Sequence, residues 1–339
     1  MAALATPGDG QEKVILDTDS GPFNDDGIAL VMLLQSASKI SLQGVTCVPG
    51  NVWAAQGAEY MLANVKMMHR TDVPVFVGAA APLMNTPAMA AGLAKLEKVS
   101  YIGAFAANPA EIQKPYYGSS GLKPGPQSAV DFIIDTVEKH PGEITILAIG
   151  PMTNLAIALR MRPDIETKIK RLVYMGGAFH AAGNTTRTAE FNFWFDPEAA
   201  RIVLRSRIAV KVMFGLDISN HAVLRKSTFD EIITVKTPVT KIYEEDFGRR
   251  GFPGFFANPN ATAYLWDELA AGYLIDPSFV TKSERAYLDV DTTFSTNYGR
   301  VVPLDRKLAP DATPVEVMLD LNAEKAFALY KELLTRPVR

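Results

Sequence analysis

The feature that most constrains this chain is an alternation of short apolar runs with helix-type segments. Val14-Ile15-Leu16 runs into Asp17, and after a Gly21-Pro22 turn the residues from Asp26 to 34 read as an apolar helix. Residues 40–48 read as a second strand, closed by Pro49-Gly50-Asn51; 52–69 is helical and 73–77 a third strand. The pattern continues with helices at 129–140, 154–161 and 197–206 and strands at 144–149, 169–175 and 210–214. Such alternation predicts an α/β fold, an open and mostly parallel (mixed) central sheet with helices on both faces. Ligands of such sheets bind at the strand C-terminal ends, so the residues following each strand are the ones to search. Residues 1–12 read as a disordered lead-in and 13–339 as one domain. Residues 85–125, rich in Ala, Gly and Pro, read as a helix with a long loop.

Composition narrows the function. Lys and Arg total 34 against 37 Asp and Glu, a net charge of −3, with no basic block to drive nucleic-acid or membrane-surface binding. No apolar run approaches the ~18 residues of a transmembrane helix, and the first residues lack a basic, secretory-type start. The expected compartment is the cytoplasm. Cys47 is the only cysteine and the four histidines are scattered, which excludes a disulfide and argues against a zinc site.

The loops carry the chemistry. Asp17-Thr18-Asp19 closes the first strand, and Asn24-Asp25-Asp26 opens the next helix. Four carboxylates within ten residues repel unless neutralised, and an all-oxygen set without His or Cys selects a hard ion, Ca²⁺ or Mg²⁺. The plain alternative is an acidic loop capping a helix. Asn51 follows a strand, as a ligand-binding amide or a turn residue. Gly150-Pro151-Met152-Thr153-Asn154 either caps a helix or exposes the Ile149 carbonyl. Asn184, Glu190 and Asn192 suit sugar hydroxyls, or are an Asn-rich loop. Residues 263–271 read as an apolar helix interrupted by Asp267, with Trp266 beside it as a stacking ring or a core residue.

Taken in order and spacing, these motifs resemble the nucleoside hydrolase family. They are Asp17-Thr18-Asp19 with Asp25-Asp26, Gly50-Asn51, Gly150-Pro151-Met152-Thr153-Asn154, Met175-Gly176-Gly177, Asn184 with Glu190-Phe191-Asn192, Asp196-Pro197-Glu198-Ala199-Ala200, and Asp267. The resemblance implies Ca²⁺ held by Asp17, Asp19, Asp26, Asp267 and the Ile149 carbonyl, with Asp19 as general base on a Ca²⁺-bound water. It implies Asp25, Asn51, Asn184, Glu190 and Asn192 on the ribose hydroxyls, with Phe191 in the same substrate-binding stretch and Met175 under the sugar. The implied partner is a small nucleoside, not a nucleic acid or a membrane, and the implied assembly is a homodimer or homotetramer.

Two departures stand out. The family has one residue between its Gly and the Asp pair, whereas Pro22-Phe23-Asn24 makes three here. The loop must bulge to keep Asp25 and Asp26 in place, and Asn24 or Phe23 then faces the ligand. Trp266 stands where many members carry a His, which resembles the purine-specific subgroup; there an indole stacks on the base and favours its protonation. Tyr117 is the candidate second stacking ring, with Trp53 either near the site or in the core. Residues 247–260 are a candidate closing loop, where Arg249 or Arg250 is a candidate proton relay, or else a structural loop or oligomer contact. Two other readings compete. Asp17 and Asp19 would be nucleophile and acid/base of a haloacid-dehalogenase-like phosphatase, but Gly21 departs from its motif. A non-catalytic nucleoside binder on the same fold would have little need of Asp19.

Overall fold

The computed structural model describes residues 10–251 and 258–338. Its first strand, β1 (Glu12–Thr18), pairs in parallel with β2 (Ile40–Cys47) on one side and β4 (Ile144–Ala148) on the other. With β3 (Val75–Val77), β5 (Arg171–Met175), β6 (Lys211–Phe214), β9 (Val280–Ala286) and β12 (Val315–Leu321), these form an eight-stranded sheet in the order β3-β2-β1-β4-β5-β6-β12-β9. Only β9 runs antiparallel to its neighbour. Among the described residues, two small antiparallel pairs complete the strands: β7 (Val223–Arg225) with β8 (Thr262–Tyr264), and β10 (Leu288–Val290) with β11 (Val301–Pro303).

Successive side chains of a strand point to opposite faces, and β1 uses both. Val14 and Leu16 join the layer built on helices Asp25–Gln35, Ala54–Met67, Asp267–Ile275 and Ala323–Thr335. Ile15 joins the layer under Ala129–Lys139, Thr153–Met161 and Pro197–Leu204. The apolar runs are continuous because the strands are covered on both sides. The strand order reverses between β1 and β4, so a crevice opens beyond their C-terminal ends.

Several expectations need correction. β1 begins at Glu12, inside the expected lead-in, whose residues 1–9 lie outside the described ones. Residues 263–271 are not one helix. Ala263 pairs with Leu224 in the β7–β8 ribbon, and a helix starts at Asp267 with Trp266 at its N-cap. Asp267 therefore opens the helix, where the terminal N–H groups favour acids. Within 85–125 the chain forms helix Pro87–Glu97 and the turn Gly103–Ala106. β9, β12 and helix Ala323–Thr335, beyond the alternation read from sequence, widen the sheet. Among the described residues no helix is long and apolar enough to cross a membrane.

Asn154 brackets the strand ends rather than capping its helix. Its Nδ2 donates to Asp17 Oδ1 (2.8 Å) and the Cys47 carbonyl (3.2 Å), and its Oδ1 accepts from Ala79 N (2.8 Å). Asn154→Ala strands these buried partners and should lower unfolding free energy by about 2–4 kcal/mol in chemical denaturation. An unchanged midpoint would show that the bracket carries no load.

Candidate active site

The floor of the crevice is a set of buried acids. Asp17 Oδ1 accepts from Thr46 Oγ1 (2.6 Å) and Asn154 Nδ2, whereas its Oδ2 has no hydrogen-bond partner. Asp19 Oδ2 accepts from Asn51 N (2.6 Å), and its Oδ1 likewise has none. Asp26 accepts from the Thr18 hydroxyl, Asn24 Nδ2 (2.9 Å) and Asn51 Nδ2 (3.3 Å). Asp25, Asp26 and Asp267 each place a carboxylate oxygen within 4.8 Å of the others. Glu268 lies beside them, with Oε2 accepting from Trp266 N (3.0 Å) and Oε1 unpartnered.

Burial pushes all these carboxyls up, Asp17 and Glu268 to about 7. Burial followed by the charge of Asp26 raises Asp19 and Asp25; burial followed by the charge of Asp25 raises Asp267; Asp26 rises through burial. The charges acting on them are those of other acids. The folded chain thus binds more protons than the unfolded one, and the metal-free fold loses stability as pH climbs from about 4 to about 7. Opposite oxygen ligands of a hard cation at ~2.4 Å stand ~4.8 Å apart. The acid trio and the orphaned oxygens of Asp17 and Asp19 fit such an ion.

Above the floor lies a cavity of about 650 Å³. Asn24, Asp25, Asn51, Ile149, Met175, Asn184, Glu190, Phe191, Asn192, Trp266 and Asp267 line it, so the structure brings these predicted residues together. Asn192 Nδ2 donates to the carbonyls of Ile149 (3.2 Å) and Met175 (3.1 Å), tying the ends of β4 and β5. Glu190 caps helix Phe191–Phe195, accepting from Asn192 N (2.9 Å), Gly177 N (2.8 Å) and Phe193 N (3.2 Å). Asn184 Oδ1 accepts from Phe191 N (3.0 Å).

With Pro22-Phe23-Asn24 before them, Asp25 and Asp26 still group with Asp267. Phe23 is buried in the core and does not line the cavity, whereas Asn24 lines it and donates to Asp26. Tyr117 stands off the cavity wall. Its hydroxyl lies 2.8 Å from Asn64 Oδ1 and 2.9 Å from the Pro22 carbonyl, so it ties the loop that carries Pro22 to the helix that carries Asn64. Trp53 is a core residue, edge-on to Phe105 with its Nε1 donating to Ala107 O (2.9 Å). Within the expected closing loop, Phe247 lines the cavity from the π-helical segment Tyr243–Gly251, and residues 252–257 lie outside the described ones. Arg249 pairs with Glu244 and Glu245. Arg250 pairs with Glu245 and Asp246 and covers the Tyr116 ring at 4.5 Å, so both arginines sit away from the cavity wall.

The family model for inosine-uridine preferring nucleoside hydrolases matches residues 14–328. The chain belongs to the nucleoside hydrolase family. It is 32% identical over 306 residues to pyrimidine-specific ribonucleoside hydrolase RihB of Escherichia coli O17:K52:H18, covering 86% of this chain and 87% of that one. Among solved structures it resembles a plant nucleoside hydrolase, PpNRh1 (TM-score 0.79, 26% identity, 96% of this chain and 99% of that one). It also resembles the purine-preferring ribonucleoside hydrolase of Gardnerella vaginalis (TM-score 0.78, 28% identity, 96% and 98%). Members of the family bind a metal ion, in keeping with the acid cluster here.

Reasoning from sequence overlooked part of the nucleoside hydrolase cavity. Lys98, Val99, Ser100 and Tyr101 line it from the stretch read as a long loop, and Thr185 and Tyr264 add to the wall. No motif marks the first four. Glu268 was visible beside Asp267 in the sequence, but only the fold shows that its carboxyl is buried against the acids.

Gly50 is fixed by close approach. A Cβ there would overlap the Asp19 carboxylate that accepts from Asn51 N. Gly50→Ala must move Asp19 or the turn, and a displacement near 1 Å can cost about a hundredfold in rate. Nucleoside hydrolysis is expected to fall by about that factor in steady-state assays. Wild-type kcat/KM would contradict the tight seating of Asp19.

Proposed function

We propose that this hydrolase cleaves the N-glycosidic bond of purine ribonucleosides, releasing base and ribose, in a Ca²⁺-dependent reaction. The observation that carries the proposal is that consecutive residues, Trp266 and Asp267, line one cavity. They set an aromatic face for the base beside a carboxylate of the acid cluster. Tyr264 stands against Trp266 with ring centroids 6.1 Å apart, widening the apolar surface on that side.

Asp17, Asp19, Asp26, Asp267 and the Ile149 carbonyl would hold the Ca²⁺. When bound, it would offset the charge of these acids and acidify the attacking water. Asp19 accepts that water's proton at its unpartnered Oδ1, while Asn51 N holds its Oδ2. Asp25, Asn51, Asn184, Glu190 and Asn192 hold the ribose hydroxyls, with Met175 and Phe191 packed on the sugar. The bond breaks through an oxocarbenium-like state, and the surrounding carboxylates stabilise the positive charge that develops on the ribose. Trp266 stacks on the leaving purine and favours its protonation through the π face.

A pyrimidine preference is the second reading, favoured by the 32% identity to the pyrimidine-specific RihB. Base release from inosine, adenosine, guanosine, uridine and cytidine, with and without excess chelator, separates the two. The proposal predicts chelator-sensitive cleavage of the purines, with Trp266→Ala lowering their kcat/KM about tenfold. Faster cleavage of uridine would replace purine by pyrimidine preference. Chelator-resistant cleavage would remove the metal from the mechanism.

A further inference from the structure

The segment from Lys98 to Ala106 is built onto the turn that carries Asn51. Ala104 N donates to the Gly50 carbonyl (2.8 Å), and Trp53 Nε1 fixes Ala107 O just beyond it. Gly103 has φ +55°, and a Cβ there would overlap the Gly50 carbonyl and lie 2.6 Å from Phe191 Cζ. Contact this close leaves the segment little room to shift. It delivers Tyr101 to the cavity wall, its ring tilted on Phe191 at 5.3 Å. Tyr101 is 54% exposed, yet its hydroxyl donates to Asn51 Oδ1 (2.9 Å). Burial and the charges of Asp19, Asp25 and Asp26 push that hydroxyl up, so it remains a donor at neutral pH.

Both ends of the Asn51 side chain are thereby specified. Its oxygen accepts from Tyr101, and its Nδ2 donates to Asp26 Oδ2, while its backbone N–H holds Asp19. An amide rotated by a half-turn would set its oxygen against the Asp26 carboxylate and lose that bond, and the Tyr101 hydroxyl would have to accept where it now donates. The second hydrogen of Nδ2 is left for a ligand. We propose that Tyr101 is a positioning residue for ribose recognition, locking the Asn51 amide in the orientation that serves the sugar. This rests on the assignment of Asn51 to a ribose hydroxyl. Phe247, Tyr264 and Trp266 take no part in the Tyr101–Asn51–Asp26 chain, so the effect belongs to the sugar and is blind to the base.

Tyr101→Phe keeps the ring and removes the donor at an exposed position where folding is not at stake. It should lower kcat/KM about three- to tenfold, the worth of one hydrogen bond, through KM and by the same factor on every nucleoside cleaved. In an Asn51→Ala background the same change should have almost no effect. Should Asn51→Ala abolish turnover, 2′-deoxy and 3′-deoxy inosine replace it, and the Tyr101→Phe loss should vanish on one of them. An unchanged Tyr101→Phe enzyme, an equal loss in both backgrounds or on both deoxy substrates, or a loss confined to one base would each overturn the proposal. A wild-type enzyme that cleaves no nucleoside would overturn the functional reading together with it; a fully active one with an indifferent Tyr101→Phe overturns only the positioning role.

Discussion

Buried carboxylates that face one another organise this molecule. Asp17, Asp19, Asp26, Asp267 and Glu268 are withdrawn from water at the end of β1, and the charges acting on them are those of other acids. Burying one unpaired carboxylate is costly, and burying several together costs more than hydrogen bonding alone returns. The local donors (Thr18, Thr46, Asn51, Asn154) satisfy some oxygens and leave one of Asp17 and one of Asp19 open. Members of the family bind a metal ion, and a cation's charge would offset that of these acids.

The topology makes such a cluster possible without a long loop. Reversal of strand order between β1 and β4 leaves the crevice at their ends, and each neighbouring strand then contributes the residues of its own turn. β1 supplies the first two acids, β2 the Gly50-Asn51 turn, β4 the Ile149 carbonyl, and β5 Met175 with the path to Glu190 and Asn192. Asp267 comes from the far end of the chain because the β7–β8 ribbon stops the apolar stretch and starts a helix there. The same seating that excludes side chains at Gly50 and Gly103 fixes the acids on one side and Tyr101 on the other.

Much of this was legible in the sequence, for physical reasons. Strands buried on both faces must be continuously apolar, so β1, β2, β4, β5 and β6 announce themselves, and residues following such strands must line the crevice. That placed Asn51, Ile149, Met175 and Asn192 where the structure has them. β9 was silent because an edge strand with exposed Lys282 and Ser283 carries no buried pattern. Tyr101 was silent because the Ala- and Gly-rich segment bearing it is held by a backbone bond to Gly50 and by close packing, and neither leaves a side-chain signature. Tyr117 was misplaced for a related reason: Phe23 is anchored in the core, and the tyrosine hydroxyl is held at the adjoining Pro22 carbonyl instead of the cavity.

If the acid cluster is the proposed Ca²⁺ site, the ion must displace the protons that burial keeps on these carboxyls. Calorimetric titration of Ca²⁺ into chelator-stripped protein near pH 6.5, repeated in two buffers of different ionisation enthalpy, tests it directly. With Asp17 and Glu268 titrating at about 7 and the other acids also raised, part of the cluster is protonated at that pH. The account predicts one Ca²⁺ bound per chain, with protons released and the release diminishing towards pH 8. Binding without proton release, or no binding by a folded chain, would contradict it.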